Sequence, residues 1–223
     1  MSFFSLDIVG QCWLCDQSCV DHCGLCSTCF NDLPRLPPHN LRPLTRPDYC
    51  HTWVAPLSFQ PPTDRWLYRF KYHSTPALAS HFAVLLAAQI IAYHKQSCTP
   101  LPDAVCAVPM SWSRWRQRGF NQAWELATAT AKVLGLPVLD RLIRVGGEHQ
   151  QHQLDWAARQ ANADQAFAHC GRACGCRHVA IVDDVITTGA TLTAAARVLL
   201  ESGVEQVSGW ALAYTPAEYH GEG

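Results

Sequence analysis

The run Val179 to Thr191, VAIVDDVITTGAT, limits this chain more than any other stretch of it. Four apolar residues, Val179 to Val182, predict a buried parallel strand. Two adjacent carboxylates, Asp183 and Asp184, are expected to cap its end, and a small polar loop, Thr187-Thr188-Gly189-Ala190-Thr191, leads into a helix. Gly189 and the small Ala190 let backbone N–H groups approach an anion, and the three threonines add hydroxyl donors. The helix that follows presents the positive end of its dipole. Such a loop is sized for a phosphate monoester, and two carboxylates that diverge at a strand end suit the hydroxyls of a ribose diol.

At 223 residues the chain suits one α/β domain of roughly 150 residues with a small appendage. With 48% hydrophobic residues and eight tryptophans it can bury a real core, which excludes a disordered chain. The net charge is −1 but unevenly spread: residues 1–32 hold four Asp and no Lys or Arg, whereas residues 35–71 hold five Arg and one Lys against two Asp. A polyanion would therefore meet the middle of the chain. No basic stretch precedes an early apolar run, and Leu78 to Tyr93, the longest apolar stretch, is interrupted by His81 and Gln89 and falls short of the roughly 20 residues of a membrane span. The expectation is a cytoplasmic protein without membrane insertion.

Four segments are expected: residues 1–32 as a Cys-rich module, 33–72 as a Pro-rich linker or hood, 73–215 as the main domain and 216–223 as a flexible tail. In the first, Cys12-x2-Cys15 and Cys26-x2-Cys29 form two knuckles of the kind that hold one structural zinc through four thiolates. So small a module lacks the apolar content to fold on its core alone, and metal binding would supply that energy. Cys19, His22 and Cys23 lie between the knuckles as alternative ligands or as separate binders, and a disulfide framework and redox or unligated thiols are the competing readings. Eight prolines between residues 33 and 65 predict a linker with one short strand near Trp53–Phe59. Phe70-Lys71-Tyr72 is expected just ahead of a helix over 77–93.

Ala104 to Val108 reads as a second buried strand, followed by Ser111-Trp112-Ser113-Arg114-Trp115-Arg116-Gln117-Arg118-Gly119-Phe120-Asn121-Gln122 and a helix to Leu134 that Asn121 caps and Gly135 ends. The first part of this stretch is expected as a loop with three arginines at alternate positions. A solvated basic loop, and a nucleic-acid patch with Trp112 and Trp115 as stacking platforms, are the other readings of the same residues. Cys170, Cys174 and Cys176, with His169 and His178 nearby, match no standard metal spacing. No Gly-x4-Gly-Lys-Ser/Thr motif is present, which argues against a P-loop ATPase.

Taken together, VAIVDDVITTGAT, the RGFNQ stretch at 118–122 and the paired knuckles resemble the ComF/GntX family, a branch of the type I phosphoribosyltransferases associated with competence, DNA uptake and use of DNA as a nutrient. The resemblance implies an α/β fold of that kind, a parallel sheet with flanking helices preceded by a small N-terminal zinc-knuckle module. It implies binding of phosphoribosyl pyrophosphate (PRPP) with Mg2+, through Asp183, Asp184, Thr187, Thr188, Gly189, Ala190 and Thr191. Arg118, Gly119 and Lys71 would meet the pyrophosphate, and Zn2+ would sit on Cys12, Cys15, Cys26 and Cys29. Asp183 and Asp184 are the candidate catalytic residues of a transfer of the phosphoribosyl group to a nitrogen acceptor. A non-catalytic PRPP sensor, or a factor that binds single-stranded DNA or the DNA-uptake machinery, is the alternative. Arg144, Gln151, Leu154, Arg159, Asn162, Ala166 and Phe167 follow the order of ComF-like chains across a segment that in type I transferases includes a mobile flap.

Overall fold

A computed structural model of the chain describes residues 10–19, 23–41, 48–72, 76–145, 166–171 and 175–215. His22, Gln151, Leu154, Arg159, Asn162, Cys174 and the tail at 216–223 lie outside the described residues.

In chain order the elements are β1 (Gly10–Gln11), β2 (Ser18–Cys19), α1 (Ser27–Asn31), β3 (Thr52–Val54), β4 (Leu57–Ser58), α2 (Thr63–Tyr72), α3 (Leu78–Ser97) and β5 (Ala104–Ala107). There follow α4 (Trp112–Arg118), α5 (Gln122–Leu134), β6 (Val138–Leu139), β7 (Leu142–Arg144), β8 (Phe167–His169), β9 (His178–Ile186), α6 (Ala190–Glu201) and β10 (Gln206–Tyr214). The main sheet runs β3-β10-β9-β5-β6, with β4 also on β10, and every pairing in it is parallel. Strands buried on both faces need near-continuous apolar runs, and β5 and the first half of β9 supply them. The α/β architecture expected from the sequence, a parallel sheet with flanking helices, is the one observed.

From β5 the chain goes first to β6 on one side and later to β9 and β10 on the other. The crevice outside the carboxyl ends of β5 and β9 is thus a topological switch point, the place where open α/β sheets accept ligands. Ala107 lies opposite Val182, and Val108 N–H donates to Val182 O at 2.9 Å, so the end of β5 stands directly beside Asp183.

Three expectations change. Strand β9 continues through the acid pair to Ile186, because β10 pairs with it as far as Tyr214 and keeps its backbone extended. The arginine stretch is helical from Trp112 to Arg118, which puts Arg114 and Arg118 one turn apart on one face and Arg116 elsewhere. The Pro-rich span is more than a linker: β3 and β4 belong to the main sheet, and α2 starts at Thr63, so Lys71, which precedes α3 as expected, also sits in the last turn of a helix of its own.

Helix α2 buries Thr63, Trp66, Leu67 and Phe70, spaced i, i+3, i+4 and i+7 along one stripe. Phe82 of α3 meets Trp66 edge-on at 4.5 Å and Phe70 at 5.2 Å between ring centroids. Among the described residues no helix is long and apolar enough to cross a membrane.

Gly209 of β10 lies beside Trp53 of β3, and a Cβ there would stand 2.9 Å from the buried Trp53 ring and 3.3 Å from Leu192. Gly209→Ala is expected to destabilise the fold by about 1–3 kcal/mol, lowering the melting temperature by roughly 3–10 °C, measured by thermal unfolding.

Candidate phosphate cleft and metal centre

At the switch point lies a cleft of about 330 Å3 whose walls include Lys71, Arg114, Arg118, Arg144, Asp183, Asp184 and Thr191. Four cations face two carboxylates there, so the cleft favours a polyanion that also offers hydroxyl groups to the acids.

Each charged group arrives by a separate route. Lys71 Nζ pairs with Asp184 Oδ2 at 2.9 Å, both side chains being largely buried. Asp183 Oδ1 accepts the Asp184 N–H at 2.8 Å. Burial and the neighbouring Asp184 push the Asp183 carboxyl up to about 7, against the opposing pull of Lys71. Arg118 is the last residue of α4, ended by Gly119 with φ of 80°, and its guanidinium donates to Gln122 Oε1 at 3.1 Å and lies over the Tyr72 ring at 5.1 Å. Arg144 of β7 lies over Phe167 of β8 at 5.4 Å. Asn121 accepts from Ala123 N–H at 3.1 Å and donates to Val108 O at 3.0 Å, so the cap of α5 is tied to the end of β5.

The loop after β9 turns at Gly189, whose φ of 85° suits glycine, and Gly189 caps α6 with no side-chain hydrogen bond at that cap. Thr188 Oγ1 accepts from Ala190 N–H at 3.4 Å. Thr187, Thr188 and Thr191 are exposed, and only Thr191 of the loop lines the cleft. The structure therefore gathers Lys71, Arg118, Asp183, Asp184 and Thr191 around one space, whereas Thr187, Thr188, Gly189, Ala190 and Gly119 are not among the residues that line it. Sequence reasoning passed over Gln122 as the group that orients Arg118. The i, i+4 spacing of Arg114 and Arg118 signals their shared face, but the helix break at Gly119 leaves no local signal for the contact of Arg118 with Gln122.

The second constellation is in the N-terminal module. The antiparallel pair β1–β2 encloses Cys12 and Cys15, and Cys26 caps α1, its Sγ accepting the Cys29 N–H at 3.5 Å. The Sγ atoms of Cys12, Cys15, Cys26 and Cys29 all lie within 4.8 Å of one another, with Cys15 and Cys26 at 3.7 Å. A zinc–sulfur distance of about 2.3 Å in a tetrahedron gives sulfur–sulfur edges of about 3.8 Å, so the cluster fits a zinc ion. Cys23 is buried but outside this group. The module rests on α2: the Arg69 guanidinium donates to Trp13 O and pairs with Asp16 at 3.4 Å, and Trp13 packs against His81 of α3 at 6.2 Å.

Fold and cleft together define a parallel-sheet α/β protein with a cationic, carboxylate-bearing site at its switch point and a four-cysteine module docked alongside. No family model matches the chain. It is 32% identical over 230 residues to the DNA utilization protein YhgH of Salmonella typhi, covering 94% of this chain and 99% of that one. It is also 32% identical over 164 residues to Competence protein F of Haemophilus influenzae, covering 72% and 69%. The chain belongs to the ComF/GntX family. Among solved structures, an allosteric regulatory enzyme of purine biosynthesis superposes with a TM-score of 0.37 at 21% identity, over 63% of this chain and 25% of that larger one. An adenine phosphoribosyltransferase of Leishmania tarentolae superposes with a TM-score of 0.35 at 15% identity, over 62% of this chain and 58% of that one.

The raised Asp183 carboxyl has a stability consequence. Between the unfolded value near 4 and the folded value about 7, the unfolded chain holds fewer protons, so this group's contribution to stability falls as pH rises and stays low above 7. Asp183→Asn is expected to melt several degrees above the parent at pH 8, the gap closing below about pH 4. Melting curves across that range check it, and a gap that widens toward acid would contradict it.

Proposed function

We propose that the switch-point cleft binds PRPP with Mg2+ and serves phosphoribosyl transfer to a nitrogen acceptor, in a protein used in DNA uptake or utilisation. The observation that carries this reading is the placement of Asp183 and Asp184 beside four cations and ahead of a glycine-capped helix start. The acids take the ribose hydroxyls. Thr187, Thr188, Gly189, Ala190 and Thr191 take the 5′-phosphate at the positive end of α6. Arg118, reached across the turn at Gly119, meets the pyrophosphate with Arg114 beside it, and guanidinium forks match phosphate oxygens.

Lys71 has two partners in this scheme. In the structure its ammonium neutralises Asp184. When ribose hydroxyls occupy the carboxylates, the ammonium is available to the pyrophosphate a short side-chain rotation away. The acid pair offers hard oxygen donors suited to Mg2+, but Asp184 is already held by Lys71, so the substrate's own oxygens would bring most of the ion's coordination. Mg2+ would supply charge neutralisation of the pyrophosphate. Breaking the bond between C1 and the pyrophosphate oxygen sends its electron pair to the leaving group, and the arginines stabilise that developing charge.

Zn2+ on Cys12, Cys15, Cys26 and Cys29 is the structural part of the proposal. Elemental analysis of purified protein should find about one zinc per chain, lost with Cys12→Ser. A folded, metal-free parent would remove that assignment.

For the cleft, PRPP with Mg2+ in large excess over its dissociation constant should raise the melting temperature by roughly 5–10 °C. Asp183→Asn combined with Asp184→Asn should fold and show no such rise. An equal rise in the double variant would overturn the reading.

A further inference from the structure

The last turn of α2 reads Arg69-Phe70-Lys71-Tyr72, and its side chains serve different ends. Phe70 is buried against Phe82. Lys71 Nζ lies 2.9 Å from Asp184 Oδ2, and Tyr72 Oη accepts from the Arg118 guanidinium at 3.4 Å, so this turn touches both an acid and an arginine of the cleft. Arg69 reaches the cysteine module instead. At 100° per residue, Arg69 and Lys71 flank the buried Phe70 on opposite sides, and a roll of the helix about its axis would move both contacts at once.

Arg69 holds the first knuckle where its shape depends on the thiols. The guanidinium donates to Trp13 O, between Cys12 and Cys15, and to Asp16 Oδ1 and Oδ2 at 3.4 and 3.5 Å, just after Cys15. Those acceptors come together because the chain turns back on itself. Asp16 N–H donates to Cys12 O at 2.9 Å, and Asp16 has a φ of 59°, in the left-handed region that a residue with a Cβ enters at a cost. Trp13 N–H donates to Gly24 O at 3.0 Å, which lays the first knuckle against the chain leading to the second. The four Sγ atoms of both knuckles lie within 4.8 Å of one another, so a zinc ion joining them keeps this turn closed. A guanidinium fork needs acceptors at a fixed separation, and an opened knuckle does not present them. The pair itself adds little to stability, since the Asp16 side chain is 67% exposed.

We propose that Arg69 is a positioning residue that makes the PRPP affinity of the cleft depend on zinc. The metal closes the knuckle, the closed knuckle holds Arg69, and Arg69 holds the turn that carries Lys71 and Tyr72. The proposal rests on the reading of the cleft as a PRPP site and of the four thiols as a zinc site. When ribose hydroxyls occupy Asp184 and Lys71 turns to the pyrophosphate, α2 loses its ion pair on that flank of Phe70, and the grip of Arg69 on the other flank keeps the turn in place. Zinc and PRPP therefore bind cooperatively, each tightening the other by the same factor.

The test measures PRPP binding with Mg2+ by calorimetry, and zinc retention against a chelator selective for zinc over Mg2+, both on the full chain. Arg69→Met, which keeps an apolar stem, should hold about one zinc per chain and melt within roughly 2 °C of the parent, yet bind PRPP about five- to tenfold more weakly. Arg69→Lys, still able to donate to Trp13 O, should recover most of that loss. In a Lys71→Met background the change at Arg69 should cost clearly less affinity, because both residues act on one turn. Saturating PRPP should tighten zinc in the parent by about the same five- to tenfold and leave its retention in Arg69→Met unchanged. PRPP binding by Arg69→Met equal to the parent's, or zinc retention in the parent indifferent to bound PRPP, would overturn the proposal and leave the reading of the cleft standing. Loss of zinc, or of several degrees of melting temperature, in Arg69→Met would overturn it in favour of a merely structural contact. A parent that binds PRPP without holding zinc would overturn it too, whereas one that holds zinc and binds no PRPP would overturn the reading of the cleft and the proposal with it.

Discussion

The pairing of β5 with β9 is the constraint on which the site depends. Ala107 opposite Val182 brings the end of one strand, with the helix that follows it, against the acid pair of the other. Everything cationic in the cleft is then placed relative to that junction. Arg114 and Arg118 enter on the short helix after β5, and Asn121 ties the next helix back to Val108 O. A slip of one residue in this register would move Asp183 away from the end of β5 and exchange the faces on which the β9 side chains project.

Helix α2 gives the site Lys71, as β7 gives it Arg144, and links the site to the four-cysteine module. Its buried stripe of Thr63, Trp66, Leu67 and Phe70 fixes the helix on the core. Arg69 and Lys71, two residues apart and so about 200° apart around the axis, point to different tasks. Arg69 holds the Trp13 carbonyl and Asp16 of the cysteine module, while Lys71 reaches Asp184 in the cleft. The aromatic contacts of Trp66 and Phe70 with Phe82 keep those two ends in register. The module is thus a brace on the helix that supplies Lys71, its four clustered cysteines set beside Leu25 and Leu33, which are buried in the core.

Much of this was legible in the sequence because the signals are local. Apolar runs gave β5 and β9, Asn121 and Gly135 marked the ends of α5, and the two Cys-x2-Cys pairs marked the thiol cluster. What was not legible depends on partners distant in sequence. β9 runs through Asp183 and Asp184 to Ile186 only because β10 lies alongside it. The arginines of α4 alternate in sequence, yet the helix sorts them by 100° steps, so Arg114 and Arg118 line the cleft and Arg116 does not. β3 and β4, short and flanked by prolines, carry too weak a local signal to announce sheet strands, and they form because β10 offers an edge.

The measurement that tests the central claim most directly is a calorimetric titration of the unmodified chain with PRPP in the presence of Mg2+. The account predicts saturable binding with about one site per chain, tighter than that of ribose 5-phosphate or pyrophosphate alone, because the acids, the loop and the arginines each meet a different part of one ligand. No saturable heat with PRPP, or affinity no greater than for pyrophosphate by itself, would mean that the carboxylates and the loop do not act on the same molecule as the arginines, and would contradict it.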